Sequence, residues 1–134
     1  MTAYLLDTNI CIYLIKRQPA VVLKRLREHS ISEIGISCIT LSELEYGINK
    51  SSRPFRNRIA LAEFLAPLEI LPFDDAAALE YGKLRCILER RGKPIGAMDL
   101  LIAAHALAGQ SVLVTNNERE FKRIPSLTIQ NWAR

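Results

Sequence analysis

Short apolar runs alternate along the chain with longer stretches in which apolar residues recur every three or four positions. The short runs predict five strands, at Tyr4–Leu6 and at residues 34–39, 68–73, 111–115 and 127–130. The longer stretches predict helices at residues 10–16, from Pro19 onward, between Thr40 and Lys50, and at residues 54–66, 75–91, 97–108 and 118–123. Strands and helices therefore alternate along almost the whole chain.

This alternation predicts an α/β fold with a mostly parallel central sheet, because parallel strands are joined by helical crossovers. Right-handed crossovers place helices on both faces of the sheet, which gives a three-layer α/β/α sandwich. The 134 residues fit one domain that covers positions 1–134.

The longest uncharged stretch, residues 100–117, is long enough to raise the question of a membrane span. Gly109 divides it into a helix-like half and a strand-like half, and His105 lies inside it. We therefore expect two buried elements and no contact with a membrane.

The N-terminus and the cysteines favour a cytoplasmic protein. The chain begins without a basic region and reaches Asp7 at once, unlike a secretory leader. The three cysteines form no C-x-x-C pair and lie in apolar stretches, so we interpret them as reduced core thiols: Cys11, Cys38 and Cys86.

Polar residues follow the predicted strands at the edge where ligands bind in α/β sheets. Asp7 comes directly after the first strand, and Glu43 is placed in the first turn after the second. Asn116 and Asn117 follow the fourth strand, and Asp99 lies in the first turn of the helix that leads into it. Three carboxylates and two amides are thus expected at one edge of the sheet.

Three carboxylates held close together repel one another unless a cation lies among them. Mg²⁺ takes oxygen ligands and usually keeps several waters, whereas zinc is a poor candidate because no Cys or His accompanies these acids. Such a site suits phosphodiester hydrolysis by water, with no histidine required.

Each acid also has a purely structural interpretation. Asp7 can cap a helix, and Thr40 with Glu43 matches a capping box in which Glu43 bonds back to the Thr40 amide. Asp99 can complement a helix dipole. Helix-capping residues are not expected to converge at one edge of the sheet, however, and their convergence favours a functional site.

A phosphoryl-accepting Asp7 is disfavoured, because phosphatases of that type carry a second Asp where this chain has Asn9.

The formal net charge is +4 and the pI is about 9.1, which favours an anionic partner. The cluster of Arg90, Arg91 and Lys93 precedes Asp99 by only a few residues and could hold RNA phosphates near the acids. A second cluster surrounds Phe55, for which base stacking and core packing both stay open.

Four ordered motifs carry a resemblance to a known family. They are Leu6-Asp7-Thr8-Asn9, then residues 39–44, residues 94–104, and Leu113-Val114-Thr115-Asn116-Asn117 followed by Glu120-Phe121. In these the chain resembles the PIN-domain ribonucleases, and specifically the VapC-type toxins of bacterial toxin–antitoxin pairs.

The resemblance implies a PIN-like doubly wound sheet, Mg²⁺ or Mn²⁺ as cofactor, and cleavage of RNA. It also implies homodimers, larger toxin–antitoxin assemblies, and inhibition by a cognate VapB-type antitoxin. Because the basic clusters are separated along the chain, we expect a folded RNA, with tRNA as the leading class.

For the site, the resemblance assigns metal binding and catalysis to Asp7, Glu43 and Asp99. Many relatives carry a fourth acid where this chain has Asn117, so one or two metals both stay open, and Glu120 is the candidate substitute. Supporting roles are expected for neighbouring residues of the motifs: Thr8, Asn9, Thr115, Asn116, Asn117 and Glu120.

Two other functions remain open at this stage. One is a PIN-like nuclease of RNA processing that has no antitoxin. The other is a catalytically silent module that binds RNA or protein, which the presence of all three acids disfavours.

Overall fold

A five-stranded sheet forms the centre of the structure, a computed structural model that describes residues 2–134. The strands are β1 (Tyr4–Leu6), β2 (Ile34–Ser37), β3 (Glu69–Leu71), β4 (Val112–Val114) and β5 (Ile129–Gln130). Their spatial order is β3-β2-β1-β4-β5, and every neighbouring pair is parallel. The sheet is therefore wholly parallel, and its strand order reverses between β1 and β4.

Within residues 2–134, seven helices connect the strands and cover both faces of the sheet. They are α1 (Thr8–Lys16), α2 (Ala20–Arg27), α3 (Cys38–Lys50), α4 (Pro54–Leu65), α5 (Asp75–Arg90), α6 (Ala97–Ala108) and α7 (Glu118–Phe121), with a 3₁₀ turn at Ile31–Glu33. None of the helices within residues 2–134 is both long enough and apolar enough to span a membrane.

Two cores separate the three layers, because successive strand residues point to opposite faces. Leu6 and Val114 pack with residues of α1 to α4, whereas Leu5 and Leu113 pack with residues of α5 and α6. The buried side chain of Trp132 completes the first core. The α/β/α sandwich predicted from the pattern is confirmed.

The second predicted strand is two residues too long, because a side chain ends it early. The Ser37 hydroxyl accepts the amide N–H of Ile39 at 3.0 Å and caps α3, which begins at Cys38. Thr40 therefore lies inside the first turn, and Glu43 lies in the second turn rather than the first. The capping box of Thr40 and Glu43 is thus wrong.

Other boundaries also differ. Strand β3 covers 69–71 rather than 68–73, because β2 offers partners to only three of its residues. Strands β4 and β5 are shorter at their ends than expected, and α7 ends at Phe121. The prediction of a buried core position is wrong for Cys86, which is exposed, and core packing is excluded for Phe55, which is 81% exposed.

Gly35 of β2 pairs with Glu69 of β3 and has no room for a side chain. A Cβ atom there would lie 2.9 Å from both the Glu69 carbonyl oxygen and Thr2 Oγ1. Because Gly35 pairs with Glu69 in the sheet, that oxygen cannot retreat without breaking the pairing. We expect Gly35→Ala to lower the free energy of unfolding by about 1–3 kcal/mol, the range for overpacking.

Chemical denaturation measures this effect, and Gly82→Ala on α5 is the matched control. Nothing lies within 4 Å of a Cβ at Gly82, so the control should be neutral or gain up to about 1 kcal/mol of helix propensity. Equal stability of Gly35→Ala and wild type would contradict the steric explanation.

Candidate active site

Three adjacent strands end in buried polar residues. Leu6 pairs with Val114 across β1 and β4, which brings Asp7 and Thr115 to the same level at the carboxyl edge. Ser37 ends β2 on the other side of β1. Asp7 is 4% exposed, and Ser37 and Thr115 are fully buried. The predicted edge of the sheet is thus lined with polar groups that lie within the protein.

Asp7 is both a helix cap and a perturbed acid. Its Oδ1 accepts the amide N–H of Ile10 at 2.9 Å and so caps α1. Burial raises the pKa of Asp7 from 3.8 to about 6, against the lowering effect of Thr115 and Ile10, and the charge of Glu43 raises it further. The structural interpretation of Asp7 is therefore confirmed, yet capping alone does not explain a carboxyl group whose pKa is raised so far.

Glu43, on α3, is the second acid of the site and acts on Asp7. The Thr8 hydroxyl donates a hydrogen bond of 2.5 Å to Glu43 Oε1, and so joins the first residue of α1 to the second turn of α3. The charge of Glu43 raises the pKa of both Asp7 and Asp99. Thr8 thus orients Glu43 beside the other two acids.

Asp99 lies in the first turn of α6 and is half-buried. Burial raises its pKa from 3.8 to about 6, and the charges of Glu120, Asp7 and Glu43 add to the shift. Four acids from four separate segments therefore act on one another electrostatically. Of the polar residues predicted at the strand ends, the three carboxylates therefore lie within electrostatic reach of one another.

Glu120 is held next to Asp99 by two N–H donors. Its Oε1 accepts the amide N–H of Gly96 at 2.7 Å, and its Oε2 accepts from Asn117 Nδ2 at 2.8 Å. These bonds lower the pKa of Glu120, whereas that of Asp99 is raised. The Asn117 amide also lies 3.5 Å from Asp99 Oδ2. Glu120 and Asn117 therefore both lie beside Asp99, and the role of Glu120 as a substitute acid stays a prediction.

The remaining predicted residues divide into those near the acids and those that point away. Thr115 Oγ1 accepts the amide N–H of Asn117 at 2.9 Å and so shapes the turn after β4. Asn116 instead bonds Tyr13 Oη at 3.2 Å and Asn131 at 3.0 Å. Asn9 is exposed in the first turn of α1. Asn116 therefore supports the fold rather than the cluster of acids.

The cluster of acids offers oxygen donors to a cation but does not enclose one. Among residues 2–134, no three Asp, Glu, His or Cys side chains are disposed to hold a metal ion by themselves. Such a site fits a hydrated Mg²⁺, which uses one or two carboxylates directly and reaches the others through water.

A groove of about 340 Å³ opens beside Glu43, and no sequence pattern indicated it. It lies between α1, α3 and α4 and is lined mainly by apolar side chains, among them Ile12, Ile15, Leu44 and Leu61. A pattern of apolar positions cannot distinguish a groove from a core, because both require the same residues.

The predicted RNA-binding residues are exposed at the end of α5. Arg90, Arg91 and Lys93 precede the loop whose Gly96 amide binds Glu120. Arg123, beyond α7, donates to the Pro94 carbonyl of the same loop at 3.0 Å. Two basic clusters that are distant in sequence therefore flank one loop next to the acids.

Comparisons with known proteins identify the family and the fold. A protein-family model described as PIN domain matches residues 4–127. The chain is similar to Ribonuclease VapC2 of Rickettsia felis, with 47% identity over 96% of this chain and 97% of the relative. It is 41% identical to the tRNA(fMet)-specific endonuclease VapC of Shigella flexneri over 99% and 100% of the two chains. The solved structure of DNA-bound VapBC from Salmonella typhimurium superposes with a TM-score of 0.93 at 44% identity, over 98% and 99% of the chains.

Proposed function

Because this chain belongs to the PIN-domain family, and within it to the VapC ribonucleases, we propose that it is the toxin of a toxin–antitoxin pair. In this proposal it is a divalent-metal-dependent endoribonuclease that acts in the cytoplasm. The observation that carries the proposal is the mutual electrostatic action of Asp7, Glu43 and Asp99 at one edge of the sheet.

The acids would hold a divalent cation and orient a water molecule against the RNA phosphate. When bound, Mg²⁺ or Mn²⁺ supplies positive charge that makes water more acidic and offsets charge on the phosphate. Asp7 is fixed by its cap on α1 and Glu43 by Thr8, so both carboxylates are pre-oriented. Asp99, half-buried in the first turn of α6, would hold the cation directly or through one of its bound waters.

We propose a folded RNA, and tRNA first, as the substrate. Two relatives of similar length carry the name tRNA(fMet)-specific endonuclease. The separation of the basic residues around the loop at 94–96 also suits contact with several phosphates of one folded RNA.

Mapping of RNA 5′ ends after brief induction tests this substrate. We expect new ends in one or a few tRNAs, within an unpaired loop, and no such ends after induction of Asp99→Asn. Cleavage spread over all transcripts would contradict the tRNA proposal, and no cleavage at all would favour the silent binding module.

Arg90, Arg91 and Lys93 are proposed to contact RNA phosphates. Changing all three to alanine should raise KM for RNA and leave kcat unchanged. The slope of log KM against log salt should fall by roughly 0.7–0.9 for each phosphate that the variant no longer binds. The matched control changes Lys24 and Arg27, which are exposed on α2 away from the acids. An equal rise of KM in the control would indicate a general effect of charge.

We further propose a cognate antitoxin that lies in the groove beside Glu43. The apolar lining suits an apolar segment of a partner chain, and a basic side chain at its end could pair with the carboxylates in place of the metal. The solved relatives are complexes named VapBC. A homodimer, itself part of a larger toxin–antitoxin assembly, is proposed from the same resemblance.

Co-expression with the gene directly upstream tests the antitoxin. We expect growth to be restored and a stable complex to be isolated. A widening change at a half-buried groove residue, Ile15→Ala, should weaken that complex while RNA cleavage by the free protein continues. Failure of both growth rescue and complex formation would favour a processing nuclease that has no antitoxin.

A further inference from the structure

One buried hydrogen bond joins the helix that carries Glu43 to the helix that carries Asp99. His105 Nδ1, on α6, lies 2.7 Å from Ser37 Oγ, which caps α3. Ser37 is fully buried and His105 is 7% exposed. Asp99 is six residues before His105 on the same rigid helix, and so about 240° around its axis. The bond therefore lies outside the cluster of acids and fixes the spacing of the two helices.

The neighbours of Ser37 determine which atom donates in this bond. Ser37 Oγ already accepts the amide N–H of Ile39, so its own proton needs an acceptor inside the protein. His105 Nδ1 is the side-chain atom that lies in reach. Ser37 therefore donates to Nδ1, and the imidazole is neutral with its proton on Nε2.

The His105 imidazole also contacts an aromatic ring and borders a cavity. Its ring meets the Phe73 ring edge-on, with centroids 5.5 Å apart. His105 and Asp74 both line a cavity of about 220 Å³. Burial lowers the pKa of His105, against a raising effect of Asp74, which agrees with a neutral ring.

We infer that Ser37 and His105 are a positioning pair that sets the separation of Glu43 and Asp99 across the active site. This inference rests on the proposed function. Ser37 determines where α3 begins, and His105 determines the position of α6 relative to the N-terminus of α3. The pair touches neither metal nor RNA. It acts by holding the two carboxylates at the distance that a shared hydrated cation requires.

Three variants at His105 separate positioning from packing. His105→Phe keeps the ring but has no acceptor, whereas His105→Asn places Oδ1 where Nδ1 lies. His105→Gln carries its polar atoms one bond further out. We expect His105→Phe, His105→Gln and Ser37→Ala each to weaken Mg²⁺ binding, measured by calorimetry on the full chain, by roughly 10-fold or more, as for other residues that orient metal ligands.

Kinetics give the second measurement. kcat should fall by roughly 10–100-fold in these three variants with KM for RNA unchanged, and His105→Asn should recover most of the loss. Ser37→Ala combined with His105→Phe should be no worse than Ser37→Ala alone, because the cap of α3 and the shared bond are already lost in that single variant. Ser111→Ala is the control, since its buried hydroxyl bonds the Thr2 carbonyl at the opposite edge of the sheet.

Nitrogen-15 NMR of histidine-labelled wild type tests the pair without any variant. A proton on Nε2 and a bare Nδ1 are expected at neutral pH. A proton on Nδ1 would overturn the inference, and so would unchanged Mg²⁺ affinity and kcat in His105→Phe or a failure of His105→Asn to rescue. Wild type that binds no Mg²⁺ and cuts no RNA would instead refute the proposed function.

Discussion

Asp7→Asn and Asp99→Asn should each lower kcat/KM for RNA cleavage by roughly 10²–10⁴-fold, the range for loss of one positioned acid or base. Asparagine keeps an oxygen for the cap on α1 but removes the negative charge that would hold a cation. The fold should therefore persist while cleavage and growth inhibition are lost. Circular dichroism and a single-turnover assay measure the two effects separately.

Asp7→Asn should also be more stable than wild type in the absence of metal. The folded protein binds the Asp7 proton more tightly than the unfolded chain does, because the pKa is about 6 rather than 3.8. The ionised carboxylate therefore destabilises the fold above pH 6, by about 3 kcal/mol for a shift of this size. The advantage of Asp7→Asn should be complete above pH 6 and vanish below pH 3.8.

Asp74→Asn is the matched control for both effects. Asp74 also caps a helix, with its Oδ1 accepting the amide N–H of Ala77 at 3.0 Å, but it lies outside the cluster of acids. Its replacement should leave cleavage intact. Full toxicity of Asp7→Asn at equal abundance would show that Asp7 is a cap and nothing more.

Removal of divalent metal should abolish cleavage altogether, and Mg²⁺ or Mn²⁺ should restore it. Burial and then the charges of neighbouring acids raise the pKa values of Asp7 and Asp99, so their ionised forms lack a stabilising counter-charge when the cation is removed. Added metal should also raise the melting temperature of wild type, whereas Asp99→Asn should gain much less.

The chemistry of the RNA ends tests the same mechanism. Attack by water leaves a 5′-phosphate and a 3′-hydroxyl, which ligation-based sequencing distinguishes from a 2′,3′-cyclic phosphate. His105, the histidine nearest in sequence to Asp99, is bonded to Ser37 and is unavailable for a mechanism that uses the ribose 2′-oxygen. A cyclic phosphate formed equally well in chelator would eliminate the proposed site.

The sequence predicted the fold class and the strand-end acids because both follow from local patterns. Apolar runs such as Tyr4–Leu6 define strands. In a parallel sheet, the residues that follow these strands all lie at its carboxyl edge. The predicted element boundaries were wrong where a side chain competed with the backbone for a hydrogen bond. The apolar run at 34–39 reads as one strand, and only the bond from Ile39 to Ser37 Oγ divides it into strand and helix.

Contacts between distant segments could not be predicted from spacing. Gly96 and Glu120 are 24 residues apart, and Ser37 and His105 are 68 apart. Neither pair repeats with a helical or strand period, so no pattern links them. The resemblance pointed to Glu120 as a substitute acid, but the amide that holds it became visible only in the folded chain.

The way Glu120 is held changes how active relatives of this chain should be sought. A carboxylate three residues after Asn117 reaches Asp99 because the four-residue helix α7 turns it back, and the Gly96 amide receives it. An alignment that demands an acid in the column of residue 117 would therefore discard this chain as degenerate. A search that accepts an acid at either 117 or 120, provided that a free amide precedes the helix of Asp99, would keep it. On the proposal that Glu120 is the fourth acid, such a search would compare positions in space rather than alignment columns, because residues 117 and 120 both lie beside Asp99.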